Sequence, residues 1–204
     1  MGVILNEFST ITDEGDSMER IRKEKEYLEY IQEHINFVKK AYKMFMIALF
    51  SVNSISTLIS DEELKNAIES LVTDIETHDA SKFSDSEFDG YREKYYPTKR
   101  EQAESEEYKK EMEERYEECW KHHYQTNDHH PKHWYDEETK TAKDMSLRAI
   151  IHMLCDWEAM SLKFNTNTLE WYEKDATDEK AVMSQNTKNI VEDLLNNVLH
   201  GSRK

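Results

Sequence analysis

The sequence predicts an all-α fold, a single compact multi-helix bundle, and three observations favour it. The chain of 204 residues contains only 4 Gly and 2 Pro, so residues that break helices are scarce. Apolar residues recur at helical spacing, with almost none of the alternation that is typical of strands. Several segments begin with a capping box, in which Ser, Thr or Asp precedes Glu by three positions.

The chain is expected to contain a short arm and one domain. Residues 1–15 carry no clear helical pattern, so we expect a flexible N-terminal arm there. Residues 16–204 contain no linker or internal repeat, which predicts a single helical domain. Asp16 with Glu19 is a capping box and predicts the start of a long amphipathic helix. Its apolar face is expected to include Ile21, Leu28, Ile31, Ile35, Val38, Tyr42 and Phe45.

Three further capping boxes predict where later helices begin: Ser60 with Glu63, Ser84 with Glu87, and Thr98 with Glu101. The helix after the first of these boxes should reach His78. The next helix should be closed by Pro97. The last box opens a highly charged helix, in which the run 99–118 is expected to form a solvated face.

The remaining chain contains one break and then more helices. Residues 122–134 include Asn, Asp and Pro, which favour a turn. Either Asp144 or Ser146 is expected to cap a fifth helix, "LRAIIHMLCDWEAMSLKF". From about residue 168 the pattern predicts two more helices, the last ending at Gly201.

Charge and composition restrict the location and the partners. The net charge of −16 disfavours long nucleic acid and anionic membranes, but a bound divalent cation can still attract a small anionic substrate. Cys119 and Cys155 lie in helical patterns, which predicts reduced thiols inside the cell. The most apolar run, residues 44–50, is too short to span a bilayer, and no signal peptide is apparent. We therefore expect a cytoplasmic protein without a membrane partner.

The stretch "HDASKF" places a histidine beside an aspartate near the end of a predicted helix. His78 and Asp79 cannot share one face of an ideal helix, but at a helix end the backbone can turn both into one pocket. Imidazole and carboxylate groups are the usual ligands of transition metals. The pair is thus a candidate metal site, and the alternative is two polar residues that end a helix.

Two residues on other helices are candidate partners of this pair. His34 lies among Ile31, Ile35 and Val38, on the face expected to be buried, where a single histidine is more often a hydrogen-bonded core residue than a ligand. Asp156 lies in the apolar stretch "IIHMLCDWEAM", where a carboxylate is costly unless it is paired or bound to a metal. Its alternative role is a salt bridge or a hydrogen bond to a backbone amide.

Five of the nine histidines lie within residues 122–133. His123, His129 and His130 are candidate ligands, because such a concentration of imidazoles suits a metal ion. The alternative is a solvent-exposed polar loop. Three further histidines are expected to be ordinary surface residues: His122, His133 and His200.

Taken in order, four of these residues spell H…HD…D, and this order and its helical context resemble the HD-domain superfamily of metal-dependent phosphohydrolases: His34, His78, Asp79 and Asp156. "HDASK" is similar to the "HD-x-G-K" form of that signature, with Ser81 at the glycine position. The resemblance covers about residues 25–165. The pattern "HDASKF…W-x-x-H-x-x-x-N-x-HH…W…CDW" also resembles an uncharacterised family of bacterial and phage proteins, in which His123 matches the histidine after the tryptophan.

The resemblance implies one or two divalent transition-metal ions: Mn, Fe, Co, Zn or Ni. It implies that the H…HD…D residues hold the first ion and that Asp79 bridges to a second. His123 and one of His129 or His130 would complete the second site. The superfamily commonly has an acidic residue four positions before the downstream Asp, where this chain has His152.

The function implied is hydrolysis of a small phosphate ester, favouring a nucleotide or a cyclic or dinucleotide, by metal-activated water. Asp79, Lys82 and His123 are the expected catalytic residues, and Lys82 would hold a phosphate oxygen or assist the leaving group. Two alternatives remain open. One is a di-iron HD-type oxygenase. The other is a non-enzymatic helical binding protein with a structural metal site.

Overall fold

The computed structural model describes residues 13–51 and 58–199, and it confirms the all-α prediction. The elements in chain order are α1 (Asp13–Ser51), α2 (Asp61–Glu76), α3 (Phe88–Tyr95), α4 (Lys99–Ala103), α5 (Glu106–Thr126), β1 (Tyr135–Asp136), β2 (Thr141–Ala142), α6 (Leu147–Phe164), α7 (Thr168–Lys174), α8 (Thr177–Ala181) and α9 (Gln185–Leu194). The two short strands pair antiparallel. Single 3₁₀ turns occur at Ala80–Phe83 and Pro131–Trp134, and the described chain ends in a π-helical turn, Leu195–Leu199.

The main core lies where α1 and α6 pack against each other, with α2 and α9 on their flanks. Phe45, Leu71, Leu154 and Leu194 are among its fully buried side chains. A second, more aromatic cluster joins the first half of α1 to α3 and α5, and includes Tyr27. The candidate site lies between these two clusters, so its residues are fixed by both.

The start of α1 differs from the prediction. The helix begins at Asp13, so Asp16 lies within it and does not cap it, and residues 13–15 are helical instead of part of an arm. The rest of the predicted arm, residues 1–12, lies outside the described residues. Ile21 and Leu28 are exposed, although the later members of the predicted face are buried or half-buried. A helix of 39 residues is roughly 58 Å long, and its first turns contact α3 and α4 through ion pairs of Arg20 with Asp89 and Asp16 with Arg100 instead of apolar packing.

Two of the three later capping boxes are confirmed: Ser60 with Glu63, and Thr98 with Glu101. The box predicted at Ser84 is wrong. The Ser84 hydroxyl donates a hydrogen bond to the Ser81 carbonyl oxygen at 2.6 Å, and α3 begins only at Phe88. The carboxylate of Glu87 does not fold back onto the backbone, because it contacts two histidines of α5.

The charged segment forms two helices instead of the single one predicted. α4 ends after one turn, and Ser105 caps α5 by accepting a hydrogen bond from the Tyr108 amide. α5 continues to Thr126, so the first part of the predicted loop is helical. Half-buried and buried side chains alternate with exposed ones along α5, which is therefore solvated on one side only.

The C-terminal third also contains more helices than predicted. Ser146, and not Asp144, caps α6. Three helices and the π-helical turn follow in place of two helices, and Gly201 lies outside the described residues. Cys119 and Cys155 are buried and free. Across the described ranges, no helix has the length and apolarity needed to cross a membrane.

Candidate metal centre

His78 and Asp79 follow the last turn of α2, and the backbone there turns as the sequence suggested. Asp79 adopts the left-handed conformation, with φ 55° and ψ 25°. A left-handed backbone is uncommon for residues other than glycine, and the residues that adopt it cluster at functional sites. The turn brings both side chains into the interior, where His78 is 1% exposed and Asp79 is 2% exposed.

A first group of candidate ligands forms around His34, which α1 directs towards the same pocket. Its Nε2 lies 2.9 Å from Oδ1 of Asp156 on α6 and 3.1 Å from Nε2 of His78. Oδ2 of Asp79 lies 3.5 Å from Nε2 of His78 and 4.0 Å from Nε2 of His34. The two histidines and Asp156 can present one ligand atom each to a common point. All four H…HD…D residues are thus brought together.

A second group forms on the opposite side of the Asp79 carboxylate. Its Oδ1 lies 3.3 Å from Nε2 of His123 and 3.5 Å from Nε2 of His129. His130 belongs to the same group of four, whose ligand atoms all lie within 4.8 Å of one another. The sequence left His129 and His130 as alternatives, and the structure brings both to the site.

Buried atoms without a hydrogen-bond partner indicate that the second group suits a cation. Oδ1 of Asp79, Nε2 of His129 and Nε2 of His130 are all buried and lack any such partner among the described residues. Leaving a buried polar atom unpaired costs about 1–3 kcal/mol. One metal ion would satisfy all three atoms, so the residues present fit a metal.

Three of the candidate histidines, His78, His129 and His130, are held in the form that binds metals. Burial lowers the pKa of His78 to about 4 and that of His130 to about 3. Burial also holds the pKa of His129 well below its usual value. These rings are therefore neutral near pH 7, and a neutral imidazole binds a metal without first losing a proton.

The carboxylates are held in their charged form. Burial alone would raise the pKa of Asp79, but His78, Lys82 and His123 outweigh it and lower the pKa well below its usual value. The pKa of Asp156 is lowered in the same way, against burial, by its hydrogen bond with His34. Lys82 Nζ lies 2.6 Å from Oδ2 of Asp79, so this lysine stands beside the candidate ligands.

Glu87 supports the second group from outside, a role that the sequence did not suggest. Its buried carboxylate contacts Nδ1 of His123 at 2.8 Å and Nδ1 of His122 at 2.7 Å. A carboxylate on the far nitrogen of a ligand histidine orients the ring and raises its basicity. The sequence pattern pointed to capping instead, because Glu87 lies three positions after Ser84.

His152 supports the first group by contacting the far ring nitrogen of His78. Its Nε2 lies 2.9 Å from Nδ1 of His78, and it can also form a group with His78 and His129. A signal for this role existed, since His152 lies one helical turn before Asp156 and so shares its face. His133 is exposed as predicted, His122 is partly exposed but bonded to Glu87, and His200 lies outside the described residues.

A cavity of about 510 Å³ opens onto both groups. Its polar end contains Asp79, Lys82 and Asp156, with His34, His123 and His130 beside them. Aromatic side chains form most of the remaining wall: Tyr27, Tyr30, Tyr91, Tyr95, Tyr96, Tyr116 and Trp120. A small molecule entering here would meet the candidate ligands at one end and aromatic rings along its sides.

The helical bundle and its buried His/Asp groups define an all-α protein with side chains positioned to hold a metal ion. The chain belongs to a family described as "Family of unknown function (DUF5662)", which matches residues 23–197. No curated protein and no solved structure matches the chain. The resemblance to the HD-domain superfamily stays a prediction.

Proposed function

We propose that this protein is a metal-dependent phosphohydrolase that cleaves a small phosphate ester, with a nucleotide as the favoured substrate. The observation that carries the proposal is the position of the Asp79 carboxylate between the two ligand groups. Oδ2 faces His78 at 3.5 Å, and Oδ1 faces His123 at 3.3 Å. A carboxylate shared in this way can hold two cations close together, an arrangement that suits phosphoryl transfer.

The residues divide into ligands and substrate contacts. His34, His78, Asp79 and Asp156 would hold one divalent transition-metal ion, and Asp79 with the histidines of the second group would hold another. When bound, such ions lower the pKa of coordinated water and neutralise charge that develops on phosphoryl oxygens. The net reaction adds the oxygen of water to phosphorus and breaks the ester P–O bond, releasing an alcohol and inorganic phosphate.

Lys82 supports this role because it combines a charge with a suitable position. Its ammonium group lines the cavity beside Asp79, and the side chain is 17% exposed. Burial alone would lower its pKa, but Asp79 outweighs burial and raises it, so Lys82 remains charged. A charged donor at this position can bind a phosphate oxygen of the substrate or the leaving group.

The test measures metal content and hydrolysis together. Purified protein loaded with Mn²⁺, Fe²⁺, Co²⁺, Zn²⁺ or Ni²⁺ is assayed against a panel of nucleotides and simple phosphate esters. Asp79→Asn should lose most bound metal and abolish hydrolysis, because it keeps the side-chain shape but removes the shared negative charge. His123→Ala should keep one ion and lose less activity, with partial rescue by excess Mn²⁺. Asp85→Asn, an exposed neighbour, is the matched control.

The alternatives appear as distinct outcomes of the same experiment. A wild-type rate of hydrolysis in Asp79→Asn would show that the catalytic site does not include Asp79. Tight metal binding without hydrolysis of any ester would favour a binding protein with a structural metal site. A mixed-valent di-iron signal in electron paramagnetic resonance, with oxygen consumption, would favour the oxygenase.

A further inference from the structure

We infer that the cavity selects a phosphate ester with one phosphoryl group and a flat aromatic ring, such as a nucleoside monophosphate, over sugar phosphates and polyphosphates. The inference rests on the proposed function and narrows its substrate. Three observations carry it: the aromatic walls, the distribution of cations around the cavity, and two buried phenol groups without partners.

The first wall joins the aromatic surface to the first ligand group. The ring of Tyr30 is nearly parallel to the imidazole of His34, at an angle of 7° with centroids 6.5 Å apart. Tyr96 continues this wall at 6.1 Å from Tyr30. Lys163 Nζ covers one face of the Tyr30 ring at 4.0 Å from its centroid, which holds the ring in place.

The second wall joins the aromatic surface to the second ligand group. Trp120 lies at 28° to the ring of His123, with centroids 5.8 Å apart, and meets His130 edge-on at 5.1 Å. Tyr116 packs edge-on against Tyr91 at 5.6 Å. Aromatic side chains beside each ligand group favour a planar ring, because stacking on such side chains stabilises any nucleobase and tolerates differences among bases.

The cations around the cavity fit a single phosphoryl group. Lys82 is the only lysine or arginine among the lining residues that the structure describes, and it lies at the polar end. Other basic side chains near these walls are already engaged: Arg92 with Glu101, Lys94 with Glu113, and Lys163 with Glu33. A second phosphate would therefore lie among tyrosine rings whose nearby ammonium groups, those of Lys163 and Lys94, are already paired with carboxylates, so its desolvation is poorly compensated.

Two phenol groups supply donors for the substrate. The hydroxyls of Tyr27 and Tyr91 are buried and have no hydrogen-bond partner in the described part of the chain. Both residues line the cavity, and they are 2% and 6% exposed. Burial, with the nearby charges of Asp79 and Glu87, raises the pKa of both phenols, so they stay neutral donors. An oxygen of a bound ester would satisfy them.

The experiment compares adenosine 5′-monophosphate, ribose 5-phosphate and adenosine 5′-triphosphate by calorimetric titration of the Mn²⁺-loaded protein, with inorganic phosphate as the reference for the phosphoryl group alone. A non-cleavable phosphonate analogue replaces any probe that the protein hydrolyses. We expect the monophosphate to bind roughly 5- to 150-fold more tightly than ribose 5-phosphate, the range typical of one stacked base. The triphosphate should bind no more tightly than the monophosphate. Equal binding of ribose 5-phosphate, or tighter binding of the triphosphate, would overturn the inference.

Substitutions at Tyr30 test whether the ring is responsible. Tyr30→Phe should keep the preference for the nucleotide, whereas Tyr30→Leu should reduce nucleotide binding towards the level of ribose 5-phosphate. Tyr108→Leu, a half-buried tyrosine that does not line the cavity, is the matched control, and circular dichroism checks the folding of each variant. An unchanged preference in folded Tyr30→Leu would contradict the inference.

Binding and turnover separate the inference from the proposed function. If the monophosphate binds with this preference but is not cleaved, the ligand class stands and the phosphohydrolase proposal fails. If ribose 5-phosphate binds equally and both esters are cleaved, the phosphohydrolase proposal stands and the aromatic selection fails.

Discussion

Oε2 of Glu87 lies 2.8 Å from Nδ1 of His123, the ring nitrogen opposite the one that faces Asp79. The contact runs from the start of α3 to the last turn of α5 and is fully buried. Burial would lower the pKa of His123, but Asp79 and Glu87 outweigh it and raise the pKa. Glu87 therefore positions His123 and increases the electron density of the ring.

Glu87→Gln should weaken binding of the second metal ion and leave binding of the first unchanged. The amide can keep one hydrogen bond but carries no charge, and loss of such a support commonly costs about 10- to 100-fold in metal affinity. Metal titration followed by elemental analysis measures the effect. Glu113→Gln, on a glutamate paired with Lys94 at the surface, is the control. Unchanged affinity for both ions in Glu87→Gln would exclude the positioning role.

His129→Ala and His130→Ala should each lower the occupancy of the second metal site, while one ion per chain remains bound. Both rings have a buried Nε2 without a partner in the described structure, and both belong to the second group. Removing either leaves an incomplete coordination sphere. Elemental analysis after dialysis gives the stoichiometry, with the exposed His133→Ala as control. Full retention of two ions in one variant would assign the ligand role to the other histidine alone.

Lys82→Met should retain the metal and lose catalytic efficiency. A charged hydrogen bond to phosphate contributes about 1.5–3 kcal/mol, which corresponds to about a 10- to 150-fold fall in kcat/KM. Steady-state kinetics and metal analysis on the same preparation separate the two effects. Lys65→Met, at an exposed lysine of α2, is the control. A metal-depleted Lys82→Met variant would show that the lysine supports the site instead of the substrate.

The metal-free protein should lose stability as the pH falls from about 7 to 5. The pKa values of His78 and His130 are about 4 and about 3, below the value of about 6.5 in an unfolded chain. The unfolded chain binds more protons in this range, so the free energy of unfolding decreases as pH decreases. His129 acts in the same direction, and His123, with its raised pKa, opposes it.

Thermal unfolding of chelator-treated protein at several pH values measures this dependence. His130→Gln removes one titrating group and should flatten the curve relative to the wild type. A midpoint that rises as pH falls from 7 to 5 would show that the raised pKa of His123 dominates.

Gly90→Ala should destabilise the contact between α3 and α5. A Cβ at this position would overlap Sγ of Cys119 and lie 3.4 Å from its Cβ. Overpacking of this kind costs about 1–3 kcal/mol. Urea unfolding of Gly90→Ala, Cys119→Ala and the double variant forms a cycle, and the double variant should lose less stability than the sum of the single losses. Additive losses would mean that the sulfur moves aside freely.

Local chemistry explains which parts of the fold could be predicted. The boxes Ser60–Glu63 and Thr98–Glu101 depend only on atoms within one turn, and both form. The box at Ser84 fails because distant histidines recruit the Glu87 carboxylate, a contact that no short window contains. The exposed start of α1 has a similar origin, since the sequence shows an apolar face but not where its covering helices end.

Some residues of the candidate site can likewise be predicted from local sequence, and others depend on the fold. The adjacency of His78 and Asp79, and the cost of a carboxylate at Asp156, are visible in the sequence, and these residues do meet. The sequence places His152 on the same helix face as Asp156, but its pairing with His78 depends on how α6 packs against α2 and is seen only in the folded chain. The same holds for His129 and His130, whose separate orientations are set by the turn before the Pro131–Trp134 segment.

The ligand candidates extend from His34 on α1 to Asp156 on α6, with the others on segments between them. The first group needs Asp156 and therefore stays incomplete until α6 docks, whereas the second group lies wholly between Asp79 and His130. Closing such long loops is slow relative to forming local helices. Uptake of the first ion would thus act as a checkpoint on completed folding, and a variant that delays docking of α6 would accumulate without that ion although every ligand is intact.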